Sequence, residues 1–221
     1  MISFLKKLFG PRKPKPPTPE QIAAAEKWYD EKSRQMEDWL GPEHDHVMHA
    51  IIPYAVGGGL DLYYYPRGVN GTAIATKELS EWPGHGSKNR AFACYELVMF
   101  TRHALNLDLA QDETTPFGKA HRTINGILNC LAPYSAQAEL NAHETCEFPE
   151  GMAGVGGKCL IFDAYPELPS SRRTPFGLLA AIEIHRSEMT FAREHGGQTL
   201  LERLRAAGHY PYSDLDREPV A

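Results

Sequence analysis

The sequence predicts an α+β fold, and three observations lead to that prediction. A long apolar run at residues 91–100 has the composition of a buried strand. The segment before it, residues 60–76, alternates in the manner of a β-hairpin. Residues 18–41 and 115–133 have helix caps and apolar residues at helical spacing. Consecutive strands with helices before and after them are typical of the α+β class.

The run from Ala91 to Phe100 is the longest largely apolar stretch of the chain. It contains aromatic and branched residues but neither Gly nor Pro, which favours a strand over a helix. Because both faces of this strand are apolar, we expect it to be covered on both sides in the middle of a sheet. Glu96 interrupts the pattern. A buried carboxylate without a partner is costly, so Glu96 requires a cation, several hydrogen-bond donors or a position at the rim of the sheet.

The composition limits the class of protein. A chain of 221 residues with 42% hydrophobic residues can bury a sizeable core. Its formal net charge of −5 argues against a general affinity for nucleic acid, since phosphate binding requires a basic surface. The four cysteines lack C-x-x-C spacing, and so few in a chain of this length indicate reduced thiols in a cytoplasmic protein. No apolar stretch approaches the roughly 20 residues that a membrane span requires.

Residues 1–17 differ in composition from the rest of the chain. The first ten residues are apolar and basic, and Pro11 to Pro17 form a basic, proline-rich stretch. The short apolar part predicts a frayed terminus without firm membrane association. The alternative is an amphipathic helix at a membrane surface, with Phe4 and Phe9 on its apolar side. A proline-rich stretch favours an extended spacer, so we expect a flexible segment over residues 1–17 and a folded domain over residues 18–221.

The first helix is predicted from its ends. Thr18 is suited to the N-cap, Pro19 to the first helical position, and Gln21 completes a capping box. Gly41, followed by Pro42, ends the helix. The residues expected to face the core recur at helical spacing, and they are Ile22, Ala25, Tyr29, Met36, Trp39 and Leu40.

The first strands are predicted within residues 50–76. Residues 50–54 are apolar and are expected to start the sheet, and the glycines at 57–59 mark a turn. In the strand at residues 60–65, alternation places Leu60, Leu62 and Tyr64 on one side and Asp61, Tyr63 and Tyr65 on the other. The Asn70-Gly71 turn returns the chain as a hairpin partner over residues 72–76. Together with residues 91–100, these segments predict a three-stranded antiparallel meander.

A second long helix follows the meander. Thr115 is suited to its N-cap, Pro116 begins it and Pro133 is expected to end it. The polar side of this helix is expected to carry Lys119, His121 and Arg122.

The last third of the chain adds two strands and two short helices. Residues 158–162 and 177–184 are apolar enough for short buried strands. Ser187 is the predicted N-cap of a helix that Gly196-Gly197 interrupts. Leu200 then lies near the start of a second short helix.

One cluster contains the residue types of metal sites. His44 and His46 stand beside two acidic residues, His49 follows, and His143 lies further along the chain. Zinc and iron sites use such ligands. However, the H-E-x-x-H pattern is missing, and the cluster follows a helix end, where polar loops are expected. A metal-dependent hydrolase using the His44/His46/His49 region is therefore the alternative prediction, and we assign no metal ligand, catalytic residue or cofactor.

The end of the chain resembles a known family. The stretches that are similar to the end of a suppressor of fused-like domain are Ile182 to Glu188, Gly196-Gly197, Leu200-Leu201 and Asp214 to Arg217. Upstream agreement comes from Asp61 to Pro66, Ile74 to Thr76 and Tyr95 to Met99. The chain departs from the family where Lys77 to Ser80 replace a Gly-Met-Ser stretch. The resemblance covers about residues 43–217 and consists of weak motifs in the right order.

The resemblance implies a single α+β domain with a central mixed, largely antiparallel sheet flanked by α-helices. It also implies a binding module and not an enzyme. The animal relatives hold transcription factors of the Hedgehog pathway and use an additional C-terminal lobe, for which this chain is expected to lack room. Many bacterial relatives are regarded as immunity proteins that neutralise secreted polymorphic toxins.

These observations predict a non-enzymatic, cytoplasmic module that binds another protein. The resemblance favours a bacterial immunity protein that binds a toxin domain, and an acidic surface suits a basic nuclease toxin. Exposed aromatic rings beside charges are where binding hot spots concentrate. The candidate partner-binding residues on that basis are Tyr63, Tyr65, Trp82 and His85. Packing in the core is the competing interpretation for the two tyrosines.

Overall fold

The computed structural model describes residues 18–167 and 173–221, and the predicted N-terminal segment lies outside them. The described helices are α1 (Pro19–Leu40), α2 (Pro116–Ser135), α3 (Arg186–His195) and α4 (Gly197–Ala206). The described strands are β1 (Tyr63–Tyr65), β2 (Thr72–Ala75), β3 (Phe92–Thr101), β4 (Thr145–Glu147), β5 (Cys159–Tyr165) and β6 (Thr174–Ile184). None of these helices is both long and apolar enough to cross a membrane.

The six described strands form one mixed sheet in the order β1-β2-β3-β6-β5-β4. The β3–β6 pair is parallel and the other four pairs are antiparallel. The predicted α+β class, with a single, largely antiparallel sheet, is confirmed. The predicted central strand is also confirmed, because β3 lies between β2 and β6 with both faces buried.

Helices cover both faces of the sheet. On one face, Met36 of α1, Met189 of α3 and Leu201 of α4 pack in a common core with side chains of β3, namely Cys94, Val98 and Phe100. On the other face, Leu128 and neighbouring residues of α2 pack with the remaining apolar side chains of β3, namely Phe92, Tyr95, Leu97 and Met99. The alternation predicted for residues 60–65 is confirmed, since Tyr63 and Tyr65 join the first core and Leu60, Leu62 and Tyr64 join the second.

Glu96 of β3 is completely buried and fully bonded. Its carboxylate accepts hydrogen bonds from Lys32 Nζ at 2.9 Å and from the hydroxyls of Thr76 at 2.7 Å and Ser80 at 2.6 Å. The backbone N–H groups of Leu79 and Ser80 donate to it as well, each at 3.0 Å. The sequence predicts that a buried Glu96 needs a cation or several hydrogen-bond donors, and the structure supplies both.

The same ammonium group attaches α1 to the rest of the domain. Lys32 Nζ also donates to the carbonyl oxygens of Lys77 and of Ser80, the latter at 3.0 Å. One turn earlier, Trp28 Nε1 donates to the Ser80 carbonyl at 2.6 Å. Helix α1 is thereby fixed to β3 and to the segment that follows β2.

The predicted caps of α1 are confirmed, but the predicted buried face is wrong in part. Met36 and Leu40 are buried, whereas Ile22 is 45% exposed and Tyr29 is 41% exposed. The residue at the centre of the buried face is Lys32, because its ammonium group must reach Glu96. Because lysine is not apolar, the spacing of apolar residues does not predict that Lys32 is buried.

Three further expectations are corrected near α2 and β1. Residues 50–54 do not start the sheet, whose first strand begins at Tyr63. Pro133 lies inside α2, which continues to Ser135, so the proline does not end the helix. His121 is not on the polar side of α2, since it is 1% exposed and its Nε2 lies 2.8 Å from the Tyr64 hydroxyl.

After α2, the structure adds one strand and corrects one expectation. Strand β4 has no counterpart in the sequence prediction, because three half-buried residues carry no apolar pattern. The N-cap of α3 is His185, not Ser187, and the His185 N–H donates to the Glu188 carboxylate at 2.8 Å. The predicted break at Gly196-Gly197 is confirmed, and α4 starts directly after it.

The C-terminal tail is held by two buried carboxylates. Asp214 accepts from the Thr101 hydroxyl at 2.6 Å and from the Arg102 N–H at 2.7 Å. Glu188 accepts from both terminal nitrogens of Arg217, at 2.6 and 2.8 Å, and from the Val220 N–H at 2.9 Å. Residues 214–220 are thus tied to β3 and to α3.

We predict that Lys32→Met lowers the free energy of unfolding by about 3–5 kcal/mol, because it leaves the buried Glu96 carboxylate without its cation. Urea denaturation measures this loss. The matched control is Lys27→Met on the exposed side of α1, for which we expect a change within about 0.5 kcal/mol. Equal losses for the two variants would contradict the central role of the pair.

We predict that acid loosens the tail through Glu188. Burial alone raises the pKa of this carboxyl, but hydrogen bonds from Arg217, Val220 and His185 outweigh burial and lower the pKa below its ordinary value. A lowered pKa contributes stability above the ordinary pKa of Glu, and that stability disappears as pH falls through the folded-state pKa. Amide hydrogen exchange of residues 214–220 should therefore accelerate at acid pH in the wild type. In Glu188→Gln the exchange should already be fast at neutral pH and should depend less on pH after correction for intrinsic rates.

Candidate functional site

Residues 50–59, which we call the apolar loop, carry large aliphatic side chains that the rest of the described chain leaves uncovered. Ile51 is fully exposed, Val56 is 74% exposed and Ile52 is 58% exposed. Single exposed aliphatic residues are common on protein surfaces, but three on one short loop form a patch. Patches of this kind mark sites of protein interaction.

Backbone hydrogen bonds give the apolar loop a fixed shape. Gly59 N donates to Ile52 O and Gly58 N donates to Pro53 O, each at 3.0 Å. The chain approaches itself so closely that a Cβ atom at Gly58 would lie 1.8 Å from Ile52 O. Gly57 has a φ of 88°, a left-handed conformation that glycine adopts without strain. The predicted glycine turn is confirmed, and it fixes the conformation of the residues on either side.

Side chains anchor both ends of the apolar loop. At the first end, Asp61 accepts from the Ala50 N–H at 2.9 Å and lies 2.7 Å from His49 Nδ1. At the second end, Asn129 of α2 accepts from the Leu60 N–H at 2.9 Å. A loop ordered before it meets a partner loses less conformational entropy on binding.

A cleft of about 530 Å³, which we call the Trp82 cleft, borders the apolar loop. Tyr54 of the apolar loop, residues 78–87 and the C-terminal end of α2 line it. Trp82 is half-buried in its wall and His85 is exposed beside it. An aromatic residue in such a cleft offers a large, rigid contact area for the side chain of a partner.

The Trp82 cleft is acidic. Glu78 and Glu81 line it, and no lysine or arginine does so within the described residues. Burial raises the pKa of the Glu78 carboxyl, and repulsion from Asp61, Glu96 and Glu81 adds to that rise, although a hydrogen bond from the Asp61 N–H opposes it. A positively charged group entering the cleft would relieve this repulsion.

The structure separates the four predicted partner-binding residues. Trp82 and His85 lie together in the Trp82 cleft, and their contact with a partner stays a prediction. Tyr63 and Tyr65 are 8% and 0% exposed, which agrees with the competing interpretation that both pack in the core. The Tyr65 hydroxyl donates to Glu43 at 2.9 Å, and Lys77 Nζ lies 4.7 Å from the centre of the Tyr63 ring. Both tyrosines serve the packing of β1, because alternation turns them toward the α1 side.

The histidines singled out by the sequence do not converge. His44 Nδ1 accepts from the His46 N–H at 3.0 Å, His49 pairs with Asp61, and His143 Nε2 lies 3.5 Å from Asp163. Across residues 18–167 and 173–221, no three metal-ligating side chains form a group that fits a metal ion. This geometry gives no support to the hydrolase alternative.

Sequence reasoning missed the exposure of the apolar loop. Its apolar residues predict the start of the sheet, since a short apolar run next to glycines resembles a strand. The available signal was the glycine triplet, which prevents a continuous strand through residues 57–59.

Among the comparisons with known proteins, the one with solved structures bears on the fold. No protein-family model matches the sequence, and no curated protein matches it. The chain is similar to a solved structure described as the Sufu–Fu complex, with a TM-score of 0.56, 16% identity, and coverage of 89% of this chain and 92% of that one.

A second similar structure is Suppressor of Fused from Drosophila. The TM-score is 0.50 at 16% identity, and the match covers 77% of this chain and 46% of that one. The likeness therefore accounts for less than half of the Drosophila chain. With the sheet order and helix positions described above, these matches show that the chain has a suppressor of fused-like fold.

Proposed function

We propose that this chain is a non-enzymatic module that binds another protein through the apolar loop and the Trp82 cleft. The observation that carries the proposal is the group of exposed aliphatic side chains, Ile51, Ile52 and Val56, on a loop fixed at both ends. Burying them against a partner would release about 25 cal/mol for each Å² of apolar surface removed from water.

The surroundings of the apolar loop support the same proposal. A binding site with an apolar centre needs a polar rim, and Glu78, Glu81 and His85 supply one beside Trp82. The structure described as the Sufu–Fu complex is an assembly of a protein with this fold, which supports a partner-binding role here.

Within this role, we propose a cytoplasmic bacterial immunity protein whose partner is a toxin domain. The support is the sequence resemblance, the net charge of −5 and the acidic Trp82 cleft, which suit a basic partner. The four cysteines are all unpaired, in keeping with the proposed cytoplasmic location.

We predict that Ile51→Asp weakens partner binding at least about tenfold, since a carboxylate cannot be buried in an apolar interface at low cost. Trp82→Ala should weaken binding as well, because it removes the aromatic wall of the cleft. A tagged protein is used to isolate partners from its native cell, and the retained partner is then titrated against each purified variant.

The matched control is Ile22→Asp, which changes an exposed isoleucine of α1 that belongs neither to the apolar loop nor to the lining of the Trp82 cleft. Its affinity should equal that of the wild type, and Ile51→Asp should keep the thermal unfolding temperature of the wild type. If Ile51→Asp and Trp82→Ala bind the partner as tightly as the control, the proposed surface is wrong.

Co-expression with the product of the neighbouring gene tests the immunity role separately. If that product is toxic, this chain should restore growth and form a complex with it, and Ile51→Asp should restore growth less well. If the product is toxic and this chain neither protects the cell nor forms a complex with the product, the immunity role is wrong. The general binding proposal is decided by the titration above.

A further inference from the structure

A second cleft, which we call the Glu183 cleft, lies where the parallel strands β3 and β6 end. It has a volume of about 370 Å³ and is bordered by the first half of α2, the start of β5 and the C-terminal tail. Ala120, Ile124 and Leu215 contribute apolar walls. The carboxyl ends of adjacent parallel strands are a frequent position for ligand sites, and this volume suits a small molecule.

Glu183 is the buried polar group of this cleft. It is 4% exposed, and its Oε1 accepts from Lys158 Nζ at 2.7 Å. Its Oε2 has no hydrogen-bond partner among residues 18–167 and 173–221, although the residue lines the cleft. Because Oε2 is open to the cleft and receives no hydrogen bond from the described residues, it is free to accept an N–H from a ligand.

The other charged groups of the cleft leave room for one positive charge. With histidine counted as neutral, three carboxylates line it, those of Glu183, Asp214 and Asp216, against the two lysines Lys119 and Lys158. His103 also lines the cleft, with its Nε2 3.7 Å from Asp214. Asp214 is already bonded to Thr101 and Arg102, and Lys158 is bonded to Glu183. A single added cation would balance the fixed charges of the cleft.

The pKa of Glu183 agrees with an incompletely compensated carboxylate. Burial raises this pKa, Asp214 raises it further, and Lys158 and His185 oppose the rise without cancelling it. A cation beside Oε2 would favour the ionised form and lower the pKa.

We propose that the Glu183 cleft binds a small organic ammonium ion. The ammonium N–H donates to Glu183 Oε2, and a short alkyl chain packs against Ala120, Ile124 and Leu215. No bond is made or broken. This site is separate from the proposed protein-binding surface, and its existence does not depend on that function.

The test is an NMR titration of the ¹⁵N-labelled full chain with n-butylammonium chloride, with n-butanol as the neutral probe of equal length. We expect saturable amide shifts at Thr123, Glu183 and Ser213 with the ammonium ion, and affinity at least about tenfold weaker for butanol. Affinity should fall as pH is lowered through the raised pKa of Glu183, since the neutral carboxyl no longer attracts a cation.

Two variants test the site itself. Glu183→Gln should abolish saturable ammonium binding because it removes the charge, and Ala120→Leu should abolish it by filling the cleft while Glu183 remains. Glu81→Gln, in the Trp82 cleft, is the control and should bind n-butylammonium like the wild type. Equal shifts with butanol, non-saturable shifts, or unchanged binding in a correctly folded Ala120→Leu variant would overturn the proposal.

Discussion

The rest of the structure depends on the ion pair between Lys32 and Glu96, which connects α1, β3 and residues 77–80. It joins α1 to the central strand, and the same two side chains bind the backbone of residues 77–80. A buried ion pair adds little stability by itself, since desolvation opposes the attraction, but breaking it leaves an uncompensated charge. The pair therefore enforces one arrangement of α1, β3 and the segment after β2.

That arrangement also shapes the proposed binding surface. Residues 77–80 lead directly into the loop that carries Trp82 and His85, so the buried network fixes the start of this loop. Glu78, in the same segment, accepts from the Asp61 N–H at 2.7 Å, and Asp61 in turn holds the apolar loop. Hydrogen bonds and the backbone between them thus connect the buried network to the start of the apolar loop. Pre-organised surfaces of this kind lose less entropy when they bind.

The two clefts differ in how their charges are arranged. In the Trp82 cleft the carboxylates stand beside exposed apolar and aromatic groups, an arrangement suited to the edge of a protein interface. In the Glu183 cleft the key carboxylate lies at 4% exposure, and lysines neutralise most of the negative charge. Exposed charges mainly attract and orient a partner, whereas the carboxylate of a mostly buried residue can bond only to a donor that enters its cleft.

The sequence by itself determined the elements whose signals are local. The caps of α1, the hairpin turn and the apolar run of β3 each depend on residues close together in the chain, so they were predicted correctly. Tertiary structure alone decided the parallel pairing of β3 with β6, the burial of Lys32 and His121, and the exposure of Ile51. These features depend on partners about 10 to 80 positions away, such as Glu96 for Lys32. A pattern of neighbouring residues cannot show whether a polar side chain finds a distant partner that allows its burial. Nor can it show whether an apolar side chain lacks distant residues that would cover it.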